Sequence, residues 1–404
     1  MDSLTQITLG AAVGEAVLGR KIGNRAMVWG AIGGTIPDLD VLGNIILTPA
    51  QALAFHRGIS HSIFFGLLFP LGMAWLVRRY YHSTWSRSRR PAGIGSLLLF
   101  GLYVALAAGL MWATANVWVG LAVVAVGYFV GRSLWGLYRS KPLAPDRISY
   151  WQWYALFAAA ILTHPLLDAF TPYGTQLLLP FSDARIAWNT ISVVDPIYTV
   201  PFLTCVVIAS TMLRSQWRTN VNILGLLLSS VYLAFTVWNH DRVKDIFAAS
   251  LTRAGHPTEH YQISPTIGNN LLWQGVSEGD EAFYLGTYSI MSERPVIDSF
   301  LELPKNHDLL TPYEGQYDVE TVQWFSKGFY NVVPHNGDTL QVNDLRYGTL
   351  TPITGRPDDH PFKFYMIPDS LGTGQVRLKQ GPRPSLTPGT LERFWEAMMG
   401  RRVR

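Results

Sequence analysis

The sequence predicts a mainly α-helical membrane protein with about eight membrane segments, followed by a smaller β-rich soluble domain. Three observations predict it. Apolar residues concentrate in roughly the first 240 positions, in runs close to the ~20 residues that cross a bilayer. Basic residues gather in the short connections between those runs, where they set topology. Beyond about Arg242 the composition shifts to frequent turns and short aromatic or β-branched stretches.

The segments follow in order. Segment one, Leu4 to Leu18, is rich in small residues and is followed by Arg20, Lys21 and Arg25. Segment two starts near Met27 and should break at Pro37-Asp38-Leu39-Asp40, where proline removes a helix donor and two acids forbid lipid contact. Segment three, Ile63 to Val77, leads into Arg78, Arg79, Arg87, Arg89 and Arg90, the strongest cytoplasmic signal. Segments four (Ile94 to Ala113) and five (Val117 to Tyr138) precede Arg139, Lys141 and Arg147. Segment six is Tyr154 to Phe170, segment seven Val193 to Leu213, and segment eight Val221 to Trp238, ending near Asn239-His240-Asp241. Keeping every basic loop inside gives eight crossings with both chain ends outside. It also brings Asp2, Asp38, Asp40, His56, His61, His164, Asp168 and Asp195 to one level of the membrane.

At 404 residues the chain has room for two domains or more. The expected divisions are a helical membrane domain over 1–241, an exported β-rich domain over 242–390, and an amphipathic basic C-terminal helix over 391–404. Strands are expected at Ala282 to Met291, Thr321 to Val333, Thr339 to Asp344 and Pro361 to Ile367. The last helix puts Leu391, Phe394, Trp395 and Met398 on one face and could lie on a membrane surface. Cys205 is the single cysteine, so no intrachain disulfide and no thiolate cluster can form, and any metal must be held by nitrogen and oxygen. The net charge of +4 is spent on topology, so no nucleic-acid partner is expected. Met1-Asp2-Ser3 lacks a basic leader and Glu15 interrupts the first apolar run, so no cleavable signal peptide is expected.

The chemistry gathers around His56-Arg57-Gly58-Ile59-Ser60-His61-Ser62, two imidazoles, a guanidinium and two hydroxyls at the mouth of an apolar segment. Ionisable clusters at membrane depth need partners. His164 and Asp168 are four apart, on one face of a helix, and can share a cation. Asp38 and Asp40 repel one another unless something positive lies between them. Taken singly, each pair reads as readily as a structural contact, a helix-ending turn or a polar loop. Together, Asp38, Asp40, His56, His61, His164 and Asp168 make an imidazole–carboxylate set suited to Zn²⁺, with Mn²⁺ or Fe²⁺ as alternatives. A bound metal supplies hydroxide near neutral pH, Asp40 or another carboxylate can take a proton, and Arg57 can hold an anionic group. Asp2, Gln6, Glu15 and Asp195 read better as caps or satisfied buried polar groups, and Asp183 could pair with Arg185. The remaining histidines lack ligand spacing.

Met1-Asp2-Ser3-Leu4-Thr5, Pro37-Asp38-Leu39-Asp40, the His56–Ser62 heptad and His164-Pro165-Leu166-Leu167-Asp168, followed by Thr171-Pro172-Tyr173-Gly174-Thr175, resemble the YdjM/YbcI family of bacterial inner-membrane, metal-dependent hydrolases. The resemblance covers about the first 200 residues. Members commonly carry histidine where this chain has Gln6. The family is in turn similar to zinc-dependent phospholipase C and P1-type nucleases, and this remoter likeness implies phosphoester hydrolysis. The resulting expectation is a multi-pass inner-membrane enzyme that hydrolyses an ester or phosphoester, including one carried by a membrane lipid, at the outer face. Its exported domain would meet a protein partner that the sequence does not name. Two rivals stand beside it: an ion-coupled transporter or channel, and a non-enzymatic scaffold that binds a partner through the exported domain.

Overall fold

The computed structural model describes residues 1–87, 147–212, 216–350, 359–369, 374–382 and 388–401, with five isolated positions between 120 and 128. Helix α1 (Ser3–Ile22) is capped by Asp2, whose carboxylate accepts from Thr5 N at 3.0 Å, and it turns at Gly23 into α2 (Asn24–Thr35). Gly10 and Gly14 on α1 meet Gly30 and Gly34 on α2, and a Cβ on Gly30 would collide with the Gly10 carbonyl oxygen. The two helices therefore pack backbone to backbone, as small residues permit.

A 3₁₀ segment (Pro37–Ile45), helix α3 (Pro49–Phe55) and a single 3₁₀ turn (Ile59–His61) lead into α4 (Ile63–His82). Helices α5 (Tyr150–Ala169), α6 (Pro196–Thr211) and α7 (Gln216–Ala254) complete a bundle around α1 and α2. Its core is Leu18, Ile22, Trp153, Phe157 and Ile161 on one side of α1 and Ala12, Met27, Tyr198, Phe202 and Val206 on the other. At one end, Arg218 donates to both oxygens of the buried Glu15 and to Asn24 Oδ1. At the other end lie the start of α1, the 3₁₀ segment, the close of α5 and the start of α6.

This architecture corrects the expectation of eight membrane crossings. Among the described residues, two helices are long and apolar enough to cross a membrane, α4 and α7, and α6 is apolar but shorter. At 12 residues α2 spans only ~18 Å, against the ~30 Å of a hydrocarbon core. Helix α1 buries Gln6 and Glu15 against its neighbours, and α5 buries Trp153, Phe157, His164 and Asp168 inside the bundle. Apolar runs of similar composition thus serve two purposes, and the sequence pattern does not separate a span from an interior helix. Segment four lies outside the described residues, as does segment five apart from those five positions. Segment eight does not stop near Asp241, because α7 continues to Ala254.

The C-terminal part holds two four-stranded antiparallel sheets. The first runs β1 (Tyr261–Pro265), β2 (Leu272–Glu278), β3 (Ala282–Ser289), β4 (Leu301–Pro304), and the second β5 (Tyr330–Pro334), β6 (Leu340–Asp344), β7 (Lys363–Pro368), β8 (Val376–Gln380), each in chain order. The strand expected over Thr321 to Val333 is instead α8 (Tyr317–Ser326) followed by β5. Its buried Val319, Val322 and Phe325 recur every three residues, a helical period that the β-branched composition masks. A final helix, α9, spans Pro388–Met398. The first sheet packs on the end of α7, where the Phe247 ring fills the space left by Gly275. The second sheet and α8 share a core with Ala50 of α3 and with Tyr173, which brings this region against the loop that follows α5.

Candidate metal centre

Four side chains converge where α1, the 3₁₀ segment and α5 meet. Asp38, His61, His164 and Asp168 each offer one ligand atom, all within 4.8 Å of one another. Asp38 Oδ1 lies 3.3 Å from His164 Nε2 and 3.6 Å from His61 Nε2. Asp168 Oδ2 lies 3.4 Å from His61 Nε2 and 3.5 Å from His164 Nε2. The pair on α5 meets because four residues bring a helix back to the same face. Asp38 joins them because Pro37 starts the 3₁₀ segment at the end of α2.

The tautomers follow from the outer partners. His164 Nδ1 is 2.6 Å from the Gly34 carbonyl oxygen, which can only accept, so Nδ1 carries the proton and Nε2 presents its lone pair. The glycine contact between α1 and α2 thereby sets the imidazole's orientation. His61 Nδ1 lies 3.1 Å from Ser60 Oγ and 3.4 Å from Asp40 Oδ2, which again leaves Nε2 free to face inward. The two Nε2 atoms are 3.2 Å apart. Two lone pairs at that distance, beside two carboxylates, repel unless a cation lies among them. Asp168 Oδ2 is buried and accepts no hydrogen bond. This nitrogen–oxygen donor set, with a carboxylate oxygen that takes no hydrogen bond, fits a divalent metal of the zinc, manganese or iron type. The three buried donors are fully enclosed, whereas the Asp38 side chain is 18% exposed and forms the open edge.

Asp40 and His56 stand outside this set. Asp40 Oδ2 accepts from Arg57 N at 2.8 Å, and Oδ1 lies 2.9 Å from His56 Nδ1. Burial opposes ionisation of Asp40, but hydrogen bonding to His56, the nearby imidazoles and the Arg57 amide outweigh it and hold the carboxyl below its ordinary range. The His56 side chain is 32% exposed, with its ring edge-on to Tyr173.

Arg57 is buried in a left-handed backbone conformation, φ 58°. Its Nε lies 3.2 Å from Asp168 Oδ2, its Nη1 donates to Thr171 Oγ1 at 3.0 Å, and its guanidinium covers the Tyr173 ring at 4.6 Å. Arg57 thus neutralises Asp168 inside the protein. Gln6 Nε2 donates to Asp168 Oδ1 at 3.0 Å and to the His164 carbonyl at 3.2 Å, and the Met1 amine also contacts Asp168 Oδ1. Asp195 caps α6 through Ile197 N and Tyr198 N.

Sequence reasoning missed Tyr173 and misplaced Arg185. Arg185 is not paired with Asp183. It donates to the carbonyls of Tyr173, Gly174 and His56 and covers the Tyr173 ring at 4.7 Å, opposite the role of Arg57 on the same ring. Its guanidinium also lies 5.2 Å from the Phe325 ring of α8, which links the site loop to the C-terminal region. The TPYGT stretch carries Tyr173 in the sequence, but nothing there signals a ring that two guanidiniums cover.

A family model described as YdjM inner membrane protein matches residues 1–243, more than half of the chain and all of the donor set. The chain belongs to the YdjM family. This YdjM-family protein is 26% identical over 218 residues to the uncharacterized protein YfhP of Bacillus subtilis (strain 168), which covers 52% of this chain and 62% of that relative. Less than two thirds of the relative's length is therefore spanned. No solved structure matches the chain, those of zinc-dependent phospholipase C and P1-type nucleases included.

Proposed function

We propose that this YdjM-family protein is a membrane-bound, metal-dependent hydrolase acting on an ester or phosphoester at the outer face of the membrane. The observation that carries the reading is the convergence of two imidazole lone pairs and two carboxylates on one point, with Asp168 Oδ2 left without a hydrogen bond. Asp38, His61, His164 and Asp168 would hold the ion, zinc by preference. A bound divalent metal supplies acidified water and charge stabilisation of a developing oxyanion. The protein's own groups do the rest. Gly34 and Asp40 fix the two ring orientations, and Arg57 and Gln6 hold Asp168.

His56 is placed to move protons. Asp40 binds its Nδ1, which is the arrangement that orients an imidazole, and among the described residues no hydrogen bond engages Nε2. His56 Nε2 would then be free to exchange a proton with water. The gathering of donors at one end of the bundle supports this reading over an ion path, which would need polar groups in file along the bundle.

The test is metal content by elemental analysis of purified wild type, His61→Ala and His164→Ala, followed by hydrolysis of bis(p-nitrophenyl) phosphate and p-nitrophenyl acetate. About one equivalent or more in wild type and loss in both variants is expected. Negligible metal in all three would end the proposal.

A further inference from the structure

The open edge of the donor set is built into an apolar lip. Along the 3₁₀ segment Asp38 and Asp40 turn inward, while Leu39, Leu42, Ile45 and Ile46 turn outward, the last two 80% and 85% exposed. Between Ile36 and Ile46 there is no cationic residue. A second exposed group lies beside the start of α4, which follows His61 in the chain. Phe181, 84% exposed, sets its ring edge-on against Phe64 in the first turn of α4, 6.2 Å between centroids. Ile63 N donates to the Leu177 carbonyl at 3.0 Å, which ties the loop carrying Phe181 to the start of α4.

Contiguous exposed apolar surface of this kind marks an interaction site. Here continuity says what covers it. Helix α4 is one of the two helices able to cross a membrane, and it begins two residues after His61. Its exposed Leu67, Leu68, Leu71 and Leu76 extend the same surface away from the site. The level at which α4 enters hydrocarbon is therefore the level of the donor set, within ~5 Å by helical rise.

We infer that the lip formed by residues 39–46 and by Phe181 is seated in the bilayer interface, and that the substrate is a membrane-resident amphiphile. Its ester or phosphoester head enters past Asp38 while its acyl chains stay among the lipids. The substrate class rests on the hydrolase reading above. The seating of the lip does not.

Two measurements separate them. In a Cys205→Ser background, bimane is attached at Ile46→Cys, at Phe181→Cys or, as an aqueous reference, at Asp338→Cys, and the protein is reconstituted in phosphatidylethanolamine/phosphatidylglycerol vesicles. Replacing part of the lipid by dibromo-acyl lipid should quench the first two probes and spare the third, and iodide should do the reverse. Iodide quenching at Ile46 and Phe181 equal to that at Asp338 would overturn the inference. So would shielding from both quenchers, which would mean that a second copy covers the lip.

The zinc-loaded protein is then given dioleoyl-phosphatidylglycerol in vesicles or water-soluble dibutyryl-phosphatidylglycerol, with products read by mass spectrometry so that acyl and phosphoester cleavage are both seen. At least tenfold higher kcat/KM on the long-chain lipid is expected, lost in Ile45→Ser/Ile46→Ser without change on the short-chain compound. Equal turnover of the two would overturn the substrate class and leave the hydrolase reading intact. No turnover of either in protein that holds its metal would overturn both, with bimane quenching still reporting the lip.

Discussion

Asp40→Asn separates a metal ligand from a group that holds one. In the structure Asp40 touches the donor set only through His61 Nδ1, at 3.4 Å, while it also receives the Arg57 amide and binds His56. Asparagine can keep its carbonyl oxygen toward Arg57 N and His61, because both need an acceptor there. Its amide then faces His56 Nδ1, which can accept once the ring proton moves to Nε2. The fold should survive, but the negative charge beside His61 Nδ1 is gone. Loss of such an outer partner costs about 10- to 100-fold in metal affinity, which is about 1.4–2.7 kcal/mol. Replacing Asp168, whose Oδ2 faces both Nε2 atoms, removes a ligand and should abolish stoichiometric binding. The assay is zinc titration against a chromophoric chelator in detergent, with Asp168→Asn in parallel. Asp40→Asn should also lower kcat more than its metal affinity predicts when measured at saturating zinc, since His56 loses its orienting carboxylate. Loss of zinc as complete as in Asp168→Asn would make Asp40 a ligand, and unchanged affinity and kcat would refute the positioning argument.

Three further outcomes follow from the packing. Gly30→Ala places a methyl group against the Gly10 carbonyl, so α1 and α2 must separate; about 1–3 kcal/mol of stability should be lost, read as a lower unfolding temperature in detergent, together with weaker zinc binding because Gly34 moves with α2. Arg218→Met leaves the buried Glu15 carboxylate unpaired and should cost about 3–5 kcal/mol, while Glu15→Gln/Arg218→Met should recover much of it in a thermal-unfolding cycle. Arg185→Ala removes the bonds to three carbonyls and the contact with Phe325, so limited proteolysis should cut faster between the helical bundle and the C-terminal sheets, with zinc affinity altered less than in Asp40→Asn.

Much of the chemistry was legible because it depends on local spacing. The four-residue step from His164 to Asp168 fixes one side of the donor set as soon as a helix forms. Pro37 ends α2 and starts the segment that carries Asp38, and Asp2 and Asp195 cap helices as their positions imply. The aromatic and β-branched run from Ala282 to Met291 reads as a strand, and β3 occupies Ala282–Ser289. Thr321 to Val333 misleads because β-branched residues on a helical period satisfy both templates until burial chooses one.

By itself, then, the sequence determined the identities of the donors, the absence of thiolate among them and the apolar character of the helices. These follow from residue chemistry and from contacts a few residues apart. Only the tertiary structure decided which donors meet. Asp38, His61, His164 and Asp168 converge, whereas Asp40 and His56, equally plausible in the sequence, form a dyad beside them, because the Gly10–Gly30 contact and the Gly34 carbonyl set where α2 and His164 stand. The tertiary structure also separated the apolar helices long enough to cross a membrane from those that bury polar groups inside the bundle. An interior helix and a membrane span bury the same kind of side chain, and what differs is the neighbour that each one packs against, which no local pattern records.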